Sequence, residues 1–351
     1  MKIVAVVGTV GIPACYGGFE SLVENLTLNT GKDVEYKVFC SSNSYSKKLT
    51  RYNEAELIYV PFKANGIQSI PYDILSLIKC WFLKPDVVLV LGVSGCVFLP
   101  VFRFFSKSKV VTNIDGLEWK RDKWGKWTRK FLKWSESLAV KYSDIIVTDN
   151  KAISDYVQDE YGVTSRTIAY GGDHALRSIE EASFSDKFAL GLCRIEPENN
   201  VEMILEAFSK SKRKIIFVGN WANSDFGREL RLKYHKFDNI TLLEPIYDLD
   251  ELYKLRKQCS LYLHGHSAGG TNPSLVEMMH FSVPIFAFDC NFNRYSTDNS
   301  CHYFSTSEDL VSLLDTANEI GLEENASSMK KLANERYVWS KIASDYESTY
   351  R

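Results

Sequence analysis

The sequence predicts an α/β protein made of two doubly wound units. Short β-branched runs recur along the chain with room for a helix between them, and after a pause near the middle the series begins again. Continuous apolar strands separated by helical patterns are typical of parallel sheets covered on both faces. The length of 351 residues agrees with two domains, because one core rarely organises so long a chain.

The first series predicts a domain over residues 1–172. After its first strand, Leu22, Val23 and Leu26 lie at helical spacing, so a helix is expected there. The six predicted strands are Ile3–Val7, Val34–Phe39, Leu57–Val60, Val87–Leu91, Val110–Thr112 and Ile145–Thr148.

The second series predicts another domain, over residues 187–335. Between its first two strands, an apolar stripe from Val201 to Phe208 predicts a helix with Asn200 as its N-cap. The predicted strands are Phe188–Leu192, Ile215–Val218, Ile240–Leu243, Leu261–Leu263 and Ile285–Phe288. The crossing between the domains is expected at 172–186, where glycines are followed by small and charged residues. Residues 336–351 are helical in pattern and aromatic, and we expect them to pack back on the first domain.

Composition excludes several classes of protein. Lys and Arg total 42 against 44 Asp and Glu, for a formal net charge of -2, so no global positive field recruits nucleic acid. The eight cysteines stand singly, without zinc-site spacing, which is typical of reduced thiols in a cytosolic protein. The apolar stretch Val87–Phe102 has 16 residues, fewer than the roughly 20 that span a bilayer. We therefore expect a globular cytoplasmic protein.

Ligands of open α/β sheets bind beyond the carboxyl ends of the strands, so the loops there are candidate sites. The first such loop is GTVGIPACYGGFE, starting at Gly8. Its glycines Gly11, Gly17 and Gly18 would let the backbone approach an anion at the start of the following helix. The loop lacks the G-x-G-x-x-G dinucleotide fingerprint. A tight turn without a ligand is the alternative.

The loop after the strand at Phe188 carries Arg194. The planar guanidinium can donate two hydrogen bonds and therefore suits a diphosphate. The alternative is a surface ion pair between Arg194 and Glu196 or Glu198.

The loop after Leu263 predicts a phosphate cradle. Asn272 suits an N-cap and Pro273 suits the first helical position, so the free N–H groups of that turn would meet an anion. Glu277 would either be structurally paired or hold a pair of sugar hydroxyls.

Two motifs near this loop have simpler interpretations than a metal site. His264 and His266 would share a strand face, but no third ligand has suitable spacing. Asp248 and Asp250 directly precede a helical pattern, which favours helix capping.

Four segments, in this order, resemble a GT-B glycosyltransferase of the large retaining family four, and most closely its bacterial rhamnosyltransferase branch. They are GTVGIPACYGGFE, NIDGLEWKRDKW, GLCRIEPENNVEMILEAF and HGHSAGGTNPSLVEMM, spread over about 270 residues. The resemblance implies two Rossmann-like domains facing a cleft and transfer with retention of anomeric configuration.

The resemblance also implies roles for residues on the donor side. Arg194 would bind the donor diphosphate, Glu277 the nucleotide ribose, and the Gly270–Asn272 loop a phosphate or sugar. The other expected donor-side residues are Gly11, Gly17, Gly18, Asn199, His266 and Thr271. The wider family usually has glutamate at position 269 and lysine at 199, where this chain has Gly269 and Asn199; the rhamnosyltransferase branch resembles the chain at both. Val10 stands where the branch commonly has Arg.

A basic, Trp-rich stretch in the first domain predicts the acceptor side. Residues 103–134 contain ten Lys or Arg, three Asp or Glu and four of the seven Trp. The spacing of Trp124, Trp127, Phe131, Trp134 and Leu138 forms one helix stripe, which would either lie on anionic lipid or pack into the core. Asp115 would orient the acceptor hydroxyl, and Glu118, Lys120 and Arg121 would bind the acceptor and its phosphate.

The predicted activity is transfer of a sugar, with rhamnose from dTDP-rhamnose favoured, to a polyprenyl-diphosphate-linked saccharide. The product would enter a bacterial surface polysaccharide such as capsule or O-antigen, and the enzyme would sit peripherally on the inner membrane face. Arg194 and Asp115 are the expected catalytic residues, and no metal or further cofactor is required. The alternatives are a transferase using another nucleotide-hexose, a nucleotide-sugar epimerase, or a non-catalytic protein that binds sugar nucleotides or lipid.

Overall fold

The computed structural model describes residues 1–14, 17–114, 116–120, 124–179 and 187–351. The chain divides into two compact units, one formed by Met1–Tyr170 with Trp339–Arg351 and the other by Gly171–Val338. Each unit contains a predominantly parallel sheet with helices between its strands, which confirms the predicted α/β class. None of the described helices is both long and apolar enough to cross a membrane.

The sheet of the first unit has the strand order β3-β4-β2-β1-β5-β6-β7-β8, in which only β3 and β4 pair antiparallel. Its strands are β1 (Lys2–Val7), β2 (Val34–Ser41), β3 (Arg51–Tyr52), β4 (Ala55–Val60), β5 (Val87–Leu91), β6 (Lys109–Ile114), β7 (Ile145–Thr148) and β8 (Arg166–Thr167). The helices described here are α1 (Gly18–Leu28), α2 (Ser69–Leu83), α3 (Leu99–Phe105), α4 (Lys126–Tyr142) and α5 (Lys151–Tyr161). The central strand β5 is buried throughout, as expected for a strand covered on both faces.

The sheet of the second unit has the order β11-β10-β9-β12-β13-β14, and all its pairs are parallel. Its strands are β9 (Ala189–Leu192), β10 (Ile215–Val218), β11 (Ile240–Leu243), β12 (Leu261–His264), β13 (Ile285–Phe288) and β14 (His302–Phe304). The described helices are α6 (Val201–Ser209), α7 (Asp225–Tyr234), α8 (Leu249–Gln258), α9 (Pro273–Met279), α10 (Asn291–Ser296), α11 (Ser307–Thr316) and α12 (Glu319–Arg336). Large rings from β10 and α7, including Phe217 and Tyr234, fill the core around Trp221.

The last helix, α13 (Trp339–Thr349), belongs to the first unit. Glu347 accepts a hydrogen bond from the Gly31 N–H at 2.7 Å, and the Tyr346 hydroxyl accepts one from the Asn113 amide at 2.7 Å. The unit boundary falls between Tyr170 and Gly171, and residues 180–186 of the expected crossing lie outside the described residues.

Two predictions about helix starts had different outcomes. Asp248 caps α8, because its Oδ1 accepts from the Asp250 and Glu251 N–H groups at 2.9 Å each. Asn200 occupies the predicted N-cap position of α6, but the expected side-chain cap is wrong. Asn200 has a left-handed backbone with φ 49°, its side chain caps nothing in α6, and its amide donates instead to the Gly265 carbonyl at 2.8 Å.

Candidate active site

Asn199 joins two predicted donor-side loops at the carboxyl edge of the second sheet. Its side-chain amide donates to the Arg194 carbonyl at 2.7 Å, and its Oδ1 lies 2.6 Å from His266 Nδ1. Asn293 of α10 donates to the His266 carbonyl at 2.9 Å. The structure therefore brings together three of the residues predicted for the donor side, Arg194, Asn199 and His266. Asn199 and His266 are buried, and the atoms named here bond to other protein groups.

The Arg194 side chain stands at the rim of these loops, 47% exposed. Its guanidinium is 3.7 Å from Glu196 Oε2, so the ion pair considered from the sequence is present. An exposed pair at this distance contributes little to stability, about 0 to 1 kcal/mol. The guanidinium is therefore easily redirected to an anion.

Position 269 is built for glycine. Gly269 has a backbone φ of +111°, and a Cβ placed there would lie 3.4 Å from His266 Nε2. Side chains rarely adopt this conformation without strain, so the glutamate of the wider family would not fit this backbone unchanged.

His264 is a buried residue of β12 rather than a ligand. Its Nε2 has no hydrogen-bond partner, and burial, followed by the neighbouring His266, lowers the pKa of His264 to about 3. Its ring centroid is 6.2 Å from that of His266. Within the described ranges, no three His, Cys, Asp or Glu side chains form a group that could hold a metal ion.

The predicted N-cap of α9 is confirmed, but the predicted free amides are not. Asn272 Oδ1 accepts from the Ser274 N–H at 3.0 Å, and Pro273 occupies the first turn. The Leu275 and Val276 N–H groups bond to the Asn272 carbonyl at 3.1 and 3.3 Å. The expectation of free N–H groups in this turn is therefore wrong, because the capping residue itself satisfies them. Gly270 and buried Thr271 lie just before the cap.

Glu277 is engaged by two basic side chains of its own unit. Its Oε2 accepts a charged hydrogen bond from Arg256 of α8, and its Oε1 lies 3.3 Å from His174 Nε2. Burial alone would raise the pKa of Glu277, but the Arg256 guanidinium and then His174 hold it below its ordinary value. The structural pairing considered from the sequence is thus present. A carboxylate can accept about four hydrogen bonds, so Glu277 can accept further hydrogen bonds besides those from Arg256 and His174.

Sequence reasoning missed both partners of Glu277. Arg256 lies 21 positions away and His174 lies in a loop after the last strand of the other unit. A close approach brings His174 near: a Cβ at Gly172 would lie 2.5 Å from the Val276 carbonyl oxygen. In the sequence, the glycine pair at 171–172 is the one feature that could have indicated a close backbone contact here, and it does not indicate which residue is contacted.

In the glycine-rich loop that starts at Gly8, backbone and hydroxyl groups bond to the Glu20 carboxylate of the same unit. Glu20 is buried, and its Oε1 accepts from the Val10 N–H at 2.7 Å and the Thr9 hydroxyl at 3.0 Å. A Cβ at Gly17 would lie 2.0 Å from Glu20 Oε2, and one at Gly11 would lie 2.5 Å from Cys40 Sγ. Gly18 faces the Tyr170 ring. Internal packing thus accounts for glycine at positions 11 and 17.

The segment predicted to bind the acceptor, residues 115–121, is called the acceptor segment and is described in part. Asp115 and Arg121 lie outside the described residues. Glu118 accepts from the Trp124 indole at 3.3 Å, and the exposed Lys120 ammonium lies 5.3 Å from the Trp119 ring centroid.

The two tryptophans of the aromatic stripe that lie on α4 do not pack into the core. Trp127 is 84% and Trp134 is 55% exposed, while the buried face of the helix is formed by other residues, namely Leu132, Ser135, Glu136, Ala139 and Val140. The interpretation of the stripe as core is therefore wrong for Trp127 and Trp134, whereas Phe131 and Leu138 of the same stripe are partly buried.

Two families match the chain. Residues 175–334 match the family Glycosyl transferases group 1, and residues 1–173 match a domain of unknown function, DUF1972. No curated protein sequence matches the chain significantly.

Solved structures share the fold of the chain at low sequence identity. Sucrose-phosphate synthase from Thermosynechococcus elongatus is 12% identical with a TM-score of 0.83, over 100% of this chain and 98% of that one. Anabaena HepE in complex with UDP is 14% identical with a TM-score of 0.76, over 99% of each chain. A glycosyltransferase from Rickettsia africae is 12% identical with a TM-score of 0.73, over 99% and 97%. The protein is a glycosyltransferase of the GT-B fold, and residues 175–334 of its second unit match the Glycosyl transferases group 1 family.

Proposed function

We propose that this enzyme transfers a deoxyhexose, with rhamnose from dTDP-rhamnose favoured, to a polyprenyl-diphosphate-linked saccharide of a bacterial surface polysaccharide. The proposal includes retention of anomeric configuration and a peripheral position on the inner face of the cytoplasmic membrane. The observation that carries it is the Arg194 guanidinium, half-exposed at the end of β9 beside the Asn199–His266 hydrogen bond.

Arg194 would stabilise the charge that develops on the leaving diphosphate as the glycosidic bond breaks. A cation directed at developing charge contributes several kcal/mol once a bound donor has displaced the water around it. No metal is needed for this step in the proposed mechanism. HepE has been solved with UDP and with UDP-glucose, and a nucleotide sugar is the donor proposed here.

Glu277 would hold the ribose through acceptor sites that Arg256 and His174 leave open. Gly269 supports a donor sugar that needs no carboxylate at this position, as the resemblance to the rhamnosyltransferase branch implies. Gly270, Thr271 and Asn272 would line the same side of the donor.

On the acceptor side, Lys120 and Arg121 would bind the diphosphate of the lipid-linked saccharide and Asp115 would orient its hydroxyl, with Glu118 beside it. The exposed Trp127 and Trp134 rings and the cations of α4 favour contact with an anionic lipid surface.

The test is a panel of dTDP-, UDP- and GDP-sugars, assayed for nucleoside diphosphate release with and without a polyprenyl-diphosphate-linked saccharide. We expect release from dTDP-rhamnose that requires the acceptor. Release from a UDP- or GDP-hexose instead would show that this nucleotide sugar, and not dTDP-rhamnose, is the donor. A changed sugar without acceptor would indicate an epimerase, and binding without any release would indicate a non-catalytic protein.

A further inference from the structure

A buried carboxylate in the first unit gathers donors from three elements. Glu136 of α4 is 1% exposed. Its Oε1 accepts from the Tyr156 and Tyr161 hydroxyls of α5 at 2.6 Å each, and its Oε2 accepts from the Trp119 indole N–H at 3.1 Å. Trp119 belongs to the short 3-10 turn Glu118–Lys120 of the acceptor segment.

Lys133 completes this arrangement. Its ammonium lies 3.4 Å from Glu136 Oε1 and 2.9 Å from Glu160. It also lies 4.7 Å from the ring centroids of Trp119 and Tyr156 and 4.9 Å from that of Tyr161. Cation–π contacts of this length stabilise the relative placement of the rings, so Glu136 and Lys133 together fix the turn against α4 and α5.

The same contacts shape an open groove of about 740 Å³ on this unit. Its lining includes Trp119, Lys120, Arg129, Lys133, Trp134 and Tyr161. With Lys130, the lining has four cations against the one carboxylate of Glu160, together with three aromatic rings, which suits a ligand with an anionic head and an apolar body. Trp119 and Tyr161 both donate to Glu136, so two walls of the groove depend on one carboxylate.

We infer that Glu136 is a positioning residue for the acceptor: through Trp119 it holds the Glu118–Lys120 turn so that Lys120 and the groove meet the anionic head of the lipid-linked acceptor. This inference rests on the proposed function. It assigns no contact between Glu136 and any substrate, since the carboxylate is buried and already has four donors.

The two oxygens of Glu136 make the test specific. In a Glu136→Gln variant the remaining oxygen is drawn to the Oε1 side, where three donors converge, and the new NH₂ then faces the Trp119 N–H. This variant therefore breaks the same link as Trp119→Phe. Trp81→Phe is the matched control, because the Trp81 indole donates to the Phe102 carbonyl at 3.4 Å in the same unit, on α2.

The experiment measures the KM for a short-chain polyprenyl-diphosphate-linked saccharide, the KM for the donor, kcat and the melting temperature. We expect Glu136→Gln and Trp119→Phe each to raise the acceptor KM roughly tenfold, because each variant loses one hydrogen bond to a charged group. Donor KM and kcat should stay near wild type, the double variant should show no further rise, and Trp81→Phe should change only the melting temperature.

If wild type transfers the sugar and Trp119→Phe has the same acceptor KM as wild type, the inference is overturned and the proposed function stands. Parallel changes in both KM values, or additive effects in the double variant, would show a merely structural role and also overturn it. Absence of transfer by the wild-type enzyme would overturn the proposed function, and the inference with it.

Discussion

Asn199 and His266, 67 residues apart in the chain, are joined by a 2.6 Å hydrogen bond at the edge of the second sheet. Because the Asn199 amide nitrogen donates to the Arg194 carbonyl, its oxygen faces His266, and the neutral imidazole must carry its proton on Nδ1. The loop that presents Arg194 is thereby tied to the loop that contains Gly269.

An Asn199→Ala variant tests this link. It removes both hydrogen bonds and leaves buried groups unpaired, so we expect the free energy of unfolding to fall by about 1 to 3 kcal/mol and the donor KM to rise. Denaturant titration and donor kinetics measure the two effects. Asn239→Ala is the control, since Asn239 also bonds to backbone carbonyls of the same unit, those of Phe208, Ser211 and Arg213. Equal donor KM values in both variants would contradict a role at the site.

The Arg256–Glu277 pair separates stability from donor binding. Glu277→Ala leaves the buried Arg256 charge uncompensated, so we expect a loss of about 3 to 5 kcal/mol in unfolding free energy. Replacing both residues by apolar ones, Glu277→Met with Arg256→Leu, should recover most of that loss. Calorimetry should still find donor affinity reduced in the double variant. Wild-type affinity there would rule out a ribose contact by Glu277.

His264 should make stability fall in acid. Its folded pKa is about 3, below the ordinary value of 6.5, so the unfolded chain binds a proton that the folded chain does not. The free energy of unfolding should therefore fall as the pH drops from about 6.5 towards 3, at up to about 1.4 kcal/mol per pH unit from this residue. The comparison is urea unfolding of wild type and His264→Phe across this range. The variant should show a shallower slope, and identical slopes would contradict the assignment.

The exposed ring of Trp127 should contribute to lipid binding. Removing an aromatic side chain that inserts into an interface costs about 1.5 to 3 kcal/mol, so Trp127→Ala should weaken binding to anionic vesicles by roughly tenfold or more. Sedimentation with vesicles of mixed neutral and anionic phospholipid measures this. Leu232, 73% exposed in the second unit, supplies the control Leu232→Ala. A wild-type partition coefficient for the Trp127 variant would exclude α4 as the contact.

Local features of the chain were predictable from the sequence, and the contacts between distant segments were not. The cap Asn272 and the turn at Pro273 are adjacent in the chain, so their residue types sufficed. The first-unit strands from β1 to β7 also follow from runs of apolar residues, apart from the two-residue strand β3, whose pairing is too short to leave a pattern.

The missed contacts each depend on which helix faces packed together. Arg256 of α8 meets Glu277 of α9 although 21 positions separate them, and Glu136 of α4 meets Trp119 of the Glu118–Lys120 turn. Whether the aromatic stripe of α4 is buried could not be predicted for the same reason. The helix has two apolar faces, and its packing against β6 and α3 decides which of them is buried.

The most direct test of the account is transfer of labelled rhamnose from dTDP-rhamnose to a polyprenyl-diphosphate-linked saccharide by wild type, Arg194→Ala and Arg228→Ala. Arg228 is an equally exposed arginine of the same unit, paired with Asp225. We expect the anomeric configuration to be retained and the rate to fall at least about 100-fold only in Arg194→Ala, with all three proteins melting within a few degrees of one another. A full transfer rate in Arg194→Ala would contradict the account.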